Sequence, residues 1–124
     1  MILIPRARVL ATCLAVAILG HATAYGQGSV QASITGLVRD TSGAVLPGVT
    51  VEASSGALIE KTRSAVTDGA GRYRLVELPP GAYTITYSLS GFNTVRREGL
   101  ELSGSLTATI DIDLRVGSLQ ETIT

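Results

Sequence analysis

Twenty-six residues, Thr67 to Phe92, constrain the fold of this chain more than any other part of it. The stretch reads TDGAGRYRLVELPPGAYTITYSLSGF and holds an Asp-Gly turn, a Pro-Pro-Gly turn and a strand-like alternation. Asp-Gly beside β-forming residues is a strong short-range hairpin signal, and Pro80-Gly81 suits positions i+1 and i+2 of a type II turn. Tyr83, Ile85, Tyr87 and Leu89 share one side of a period-two pattern, with Thr84, Thr86 and Ser88 on the other. A chain that reverses this often, with no helical stripe, is expected to be all-β: a small antiparallel sandwich of seven strands.

The pattern continues on both sides. Ser33 to Arg39 is a first strand with Ile34, Gly36 and Val38 on one face, closed by the turn Asp40-Thr41-Ser42-Gly43. Pro47-Gly48 punctuates the chain before Val49 to Ala53, where Val49, Val51 and Ala53 alternate with polar residues. Leu58 to Thr67 reads as a strand with one solvated face, ending at Asp68-Gly69. Gly71 precedes a returning strand with Tyr73 and Leu75 inward and Arg72 and Arg74 in water. After Gly91-Phe92, Asn93 to Arg97 is a sixth strand. Leu106 to Leu114 is the last, with Leu106, Ala108, Ile110, Ile112 and Leu114 inward. The expected core therefore centres on Val51, Tyr73, Tyr83, Ile85, Tyr87, Phe92, Ile110 and Ile112. The expected structural turns use Gly43, Pro47, Gly48, Asp68, Gly69, Gly71, Pro80 and Gly81.

The first 24 residues read differently. Arg6 and Arg8 precede an apolar run from Val9 to Gly20, and Ala22-Thr23-Ala24 offers a small-residue cleavage site. The run is shorter than the roughly 20 apolar residues of a membrane span, so a helical signal peptide is favoured over a retained anchor. Cys13 lies inside the apolar run, with Thr12 just before it, which argues against lipidation. Residues 25–32 read as a flexible lead-in, 33–115 as the sandwich and 116–124 as a C-terminal linker. From Tyr25 onward there is no Cys, His or Trp, and eight basic residues face ten acidic ones. An exported domain would thus be held by burial and strand pairing alone. Near-neutral charge without a basic patch gives no basis for binding nucleic acid.

The turn and strand motifs, taken in order, resemble the carboxypeptidase regulatory-like domain, a seven-stranded transthyretin-like (prealbumin-like) Greek-key sandwich. The resemblance rests on Gly36-Leu37-Val38-Arg39-Asp40, Gly43, Leu46-Pro47-Gly48-Val49-Thr50-Val51, Thr67 to Tyr73, Leu78 to Tyr83, and Gly91-Phe92. Val116 to Thr124 is similar to the segment joining such domains to the plug of TonB-dependent receptors. The resemblance implies a non-enzymatic interaction or spacer module at the bacterial envelope, in the periplasm or at the outer membrane. It implies a protein partner there, or a covalently following receptor domain. Membrane contact would come only from an uncleaved leader or a downstream barrel. A carbohydrate-binding module of the starch-binding-like kind, with a glycan partner, is the alternative.

The residues present limit the chemistry. Without His or Cys beyond residue 24, no Ser-His or Cys-His nucleophile pair can form, and the zinc-binding pattern of the peptidase is absent. Asp111 and Asp113 share an exposed face, the usual situation of a solvated surface rather than an acid–base pair. Asp68-Gly69-Ala70-Gly71 supplies one carboxylate where a calcium loop needs several, though Asp40 and Asp68 at one end could form a weak calcium site. Lys61, the sole lysine, lies on a polar strand and is poorly placed for an isopeptide bond. Sugar binding needs exposed rings, and Tyr73, Tyr83 and Tyr87 are assigned inward. No catalytic, metal or cofactor residue is expected.

Overall fold

The computed structural model describes residues 30–117 and 120–124, and every regular element in it is a strand. These are β1 (Ala32–Asp40), β2 (Thr50–Ser54), β3 (Thr62–Val66), β4 (Arg72–Leu78), β5 (Gly81–Ser88), β6 (Thr94–Leu102), β7 (Thr107–Thr109), β8 (Ile112–Leu114) and β9 (Gln120–Ile123). The expected signal peptide, residues 1–24, lies outside the described residues, as does the expected lead-in up to residue 29. Ala32, at the end of that lead-in, is already the buried first residue of β1.

Two mixed sheets pack face to face. One has the order β4-β1-β7, with β8 continuing beside β1, and the other runs β3-β2-β5-β6-β9. Not every pairing is antiparallel: β7 and β8 run parallel to β1, and β9 runs parallel to β6. Among the described strands β2–β3 and β5–β6 are sequential hairpins, β7 and β8 follow one another along β1, and the other links cross from one sheet to the other. The sheets enclose one core that includes Ile34, Val38, Val51, Tyr73, Leu75, Tyr83, Ile85, Tyr87, Ile110 and Ile112. Phe92 is half-buried and packs against that cluster from its rim.

Several strand assignments change in three dimensions. The Asp-Gly turn closes no two-stranded hairpin, because β3 and β4 belong to different sheets and β4 pairs with β1. The turn is a corner. Asp68 N–H donates to Arg72 O (2.9 Å) and Gly71 N–H to Asp68 O (2.9 Å), leaving three loop residues. Gly71 takes the positive φ (75°) that this loop demands, whereas Gly69 has no positive φ and open space around it. The Pro79-Pro80 link is a second sheet crossing. Gly81 has φ 157°, far from the roughly +80° of a type II turn.

Leu58, expected at the start of a strand, is instead a buried plug in the 55–61 loop; its N–H donates to Ser55 O and its carbonyl accepts from Lys61 N–H. The expected 93–97 strand runs on to Leu102, through an irregularity where β6 has more residues than β5 and Gly99 has φ 73°. The expected 106–114 strand breaks in two at Ile110–Asp111. Leu106, assigned inward, is 49% exposed because it precedes the first ladder pair. Segment 116–124, expected as a linker, contains β9.

Candidate functional site

Two tyrosine hydroxyls enter the interior and satisfy each other there by hydrogen bonding. Tyr73 on β4 and Tyr87 on β5 meet across the two sheets, their hydroxyls 2.7 Å apart and their rings edge to face at 5.6 Å. Tyr73 also donates to Ile110 O at 2.7 Å. Burial pushes the Tyr73 hydroxyl up to about 12 and raises Tyr87 as well, so both stay protonated and serve as struts. Tyr83 plays a separate role: its hydroxyl donates to Pro79 O (2.6 Å), pinning the crossing that precedes it. With these three rings buried and Phe92 half-buried, no exposed aromatic platform exists among the described residues.

Sequence reasoning missed two residues that hold this arrangement. Gly36 lies where a Cβ would overlap the Ile110 carbonyl oxygen and come within 2.8 Å of the Tyr73 ring. Thr67 is buried; its hydroxyl donates to Leu46 O (2.6 Å) and accepts from Val49 N–H (2.9 Å), stitching the Pro47-Gly48 turn shut. A glycine inside an alternating strand is the sequence signal for the first. The second has none, since Thr67 looks like any strand-end threonine.

Three aspartates, Asp40, Asp68 and Asp111, are engaged by main-chain N–H groups. Asp40 Oδ1 accepts from the Ser42 hydroxyl and from Ser42 and Ala44 N–H, and the Ser42 hydroxyl bond leads in holding its carboxyl below the usual range. Asp68 Oδ1 accepts from Ala70 and Arg72 N–H (2.9 and 3.0 Å). No group of three metal-ligating side chains occurs among the described residues. Asp111 and Asp113 serve different ends. Asp111 fills the break between β7 and β8 by accepting Leu37 N–H (2.9 Å), and Asp113 lies 3.7 Å from Arg39. Beside Asp111 an open groove of about 570 Å³ is lined by Thr35, Leu37, Val66, Arg72 and Arg74. Its carboxylates are engaged with main-chain N–H groups and it holds no nucleophile–base pair.

The strand edges differ more from one another than the faces do. On β3, Arg63 points inward opposite Ala53 and reaches across to the other sheet. Its guanidinium donates to Val76 O (2.8 Å) and Glu77 O on β4 and also binds Glu60. Glu77 sits at φ 57°, in the irregularity of the β1–β4 register. One side chain thus places a charge on the β3 edge and covers carbonyls of the β4 edge, two recognised ways of blunting a free strand. The β7–β8 edge is broken at Ile110–Asp111. The β6 edge is covered by β9, in the register Thr94↔Gln120 to Arg97↔Ile123.

Comparison with known proteins agrees with this geometry. The model of the carboxypeptidase regulatory-like domain family matches residues 33–115, a regulatory-like sandwich rather than a catalytic domain. The TonB-dependent transporter Oar of Myxococcus xanthus is 26% identical over 110 residues, covering 89% of this chain and 10% of the transporter. The chain therefore spans about a tenth of that curated relative. Among solved structures, the Bacillus anthracis TIE protein superposes with TM-score 0.57 at 18% identity, over 70% of this chain and 17% of that one. A type II cohesin–X-dockerin complex from Acetivibrio cellulolyticus gives 0.56 at 19% identity, over 71% and 60%. At such identities these two structures speak to the fold alone.

Proposed function

Because the chain belongs to the carboxypeptidase regulatory-like domain family, we propose that it is an exported, non-enzymatic β-sandwich of the bacterial envelope. In this reading it works as an interaction or spacer module, the N-terminal extension of a TonB-dependent receptor-like protein. The observation that carries the proposal is the 110-residue similarity to a TonB-dependent transporter, which extends past the family match at residues 33–115. The structure supports it through what the surface offers: strand edges and turns, with Asp68 and Asp111 tied to the main chain. Such a module would act through strand addition and loop contact.

Export and location are tested together. The chain, tagged at its C-terminus and expressed in a Gram-negative host, should be recovered from the periplasmic or outer-membrane fraction with Tyr25 as its first residue. Recovery from the cytoplasm with residues 1–24 intact would overturn the envelope reading. Hydrolysis of peptide or ester substrates by the purified protein would overturn the non-enzymatic one.

A further inference from the structure

Of the sheet edges, the β6 edge is the one that a strand already uses. β3 and β4 are shielded by Arg63, and β7–β8 is interrupted. On β6, residues 94–97 take a parallel strand formed by Gln120–Ile123, outside the family match at 33–115. That strand adds no side chain to the core: Gln120, Thr122 and Ile123 are exposed and Glu121 is half-buried. It is held through its backbone, as an added strand would be. Upstream, Asn93 N–H donates to Arg115 O (2.7 Å) and Gly117 N–H to Gly91 O (3.0 Å), so the attachment persists at the root of the tail.

We propose that the β6 edge is an acceptor surface for an extended, acidic and β-branched segment of a partner protein, and that residues 120–123 are its resident, displaceable occupant. The proposal rests on the interaction-module reading and names the surface and partner chemistry it uses. The chemistry follows from the register. Glu121 stands opposite Val95, so it shares a face with Arg97, two pairs further along. The diagonal separation of roughly 7 Å is within reach of a long side chain. Arg97 is half-buried and forms no contact ion pair among the described residues, Glu121 included, so an acidic side chain at that position meets its charge across the diagonal rather than in a direct pair. Arg96, on the other face, is already paired with Glu98 at 3.1 Å. A segment patterned acid–Thr–aliphatic, like Glu121-Thr122-Ile123, fits this edge.

Hydrogen exchange on the purified chain tests the proposal independently of its cellular location. In the unsubstituted chain, amides of residues 120–123 should exchange at least about 100-fold faster than those of β5, which lies inside the sheet. Equal protection would overturn displaceability. Glu121→Pro and Thr122→Pro, made separately, should between them remove an N–H facing β6 and speed exchange at residues 94–97, with tyrosine near-UV dichroism unchanged. A peptide with the sequence of residues 116–124 should then restore that protection saturably and bind the unsubstituted chain at least 10-fold more weakly. The same peptide with Lys in place of the residue-121 Glu should bind the variants at least 10-fold more weakly. Absence of peptide binding, indifference to the charge reversal, or dimerisation of the variants in its place would overturn the assignment. Failure of export with intact peptide binding would count against the envelope reading alone.

Discussion

The hydroxyl of Tyr87 donates its proton to that of Tyr73. The direction follows from a third group: Tyr73 lies 2.7 Å from both the Tyr87 hydroxyl and Ile110 O, and a carbonyl can only accept. Tyr73 must therefore spend its proton on Ile110, and Tyr87 supplies the other. The pair ties β4 to β5, and so one sheet to the other, at the point where the chain breaks between β7 and β8.

That proton order makes the two tyrosines unequal. Tyr73→Phe removes a partner from both Tyr87 and the Ile110 carbonyl and should cost about 2–4 kcal/mol. Tyr87→Phe leaves the Tyr73–Ile110 bond intact and should cost about 1 kcal/mol. Urea unfolding of both variants checks the order. Equal losses would mean that the proton runs the other way or that water replaces the missing partner.

The same pair makes the fold sensitive to alkali. With the folded Tyr73 raised to about 12, the unfolded chain loses its proton first, near the ordinary tyrosine value of about 10. The stabilisation is whole below about pH 10 and is lost as pH climbs from there through about 12. The urea midpoint should fall between pH 9 and pH 11.5, and the fall should shrink in the Tyr73→Phe, Tyr87→Phe double variant. An undiminished fall would assign alkaline sensitivity to other groups.

Two glycines should respond in opposite ways. Gly36→Ala drives a methyl into the Ile110 carbonyl and the Tyr73 ring, and it should destabilise by about 3 kcal/mol or prevent folding. Gly69→Ala meets open space at an unremarkable φ and should stay within about 0.5 kcal/mol of the parent, or gain slightly. Thermal melts of the two proteins separate these outcomes.

Tyr83 divides into a ring and a hydroxyl. Tyr83→Ala empties a fully packed site and should cost about 3–5 kcal/mol. Tyr83→Phe keeps the ring and loses the bond to Pro79 O, for about 1 kcal/mol. A loss below about 1 kcal/mol for Tyr83→Ala would contradict the burial of this side chain.

Arg63 should matter to solubility more than to stability. Arg63→Ala uncovers carbonyls of β4 and removes the inward charge on β3. The expected result is self-association that grows with concentration, read by light scattering, while the unfolding free energy falls by about 1–2 kcal/mol. A variant that remains monomeric across the concentration range would show that Arg63 protects neither edge.

The alternation at Tyr83–Leu89 was legible because a strand that buries one face must repeat every second residue, and the Ile85 and Tyr87 side chains of β5 are fully buried. The glycine at 36 carried a readable anomaly, though not its reason. The partner of each strand was not legible. Asp68-Gly69 encodes a reversal, and a reversal within a sheet reads the same as a corner between sheets. Thr67 and Arg63 act through residues 13 to 21 positions away and Leu58 through a loop shape, and nothing in their immediate neighbours marks them.

The sequence by itself determined the class of fold, the positions of its turns and most of the inward faces, since these follow from local geometry and from the cost of exposing apolar side chains. Tertiary structure decided which strands became neighbours, which acids were taken up by main-chain N–H groups, and which edges were closed. The reason is physical: edges and partners depend on non-local hydrogen bonds, whose energy goes to whichever group the folded chain brings within 3 Å. On the β6 edge that group is residues 120–123, four residues with no buried side chain to announce them.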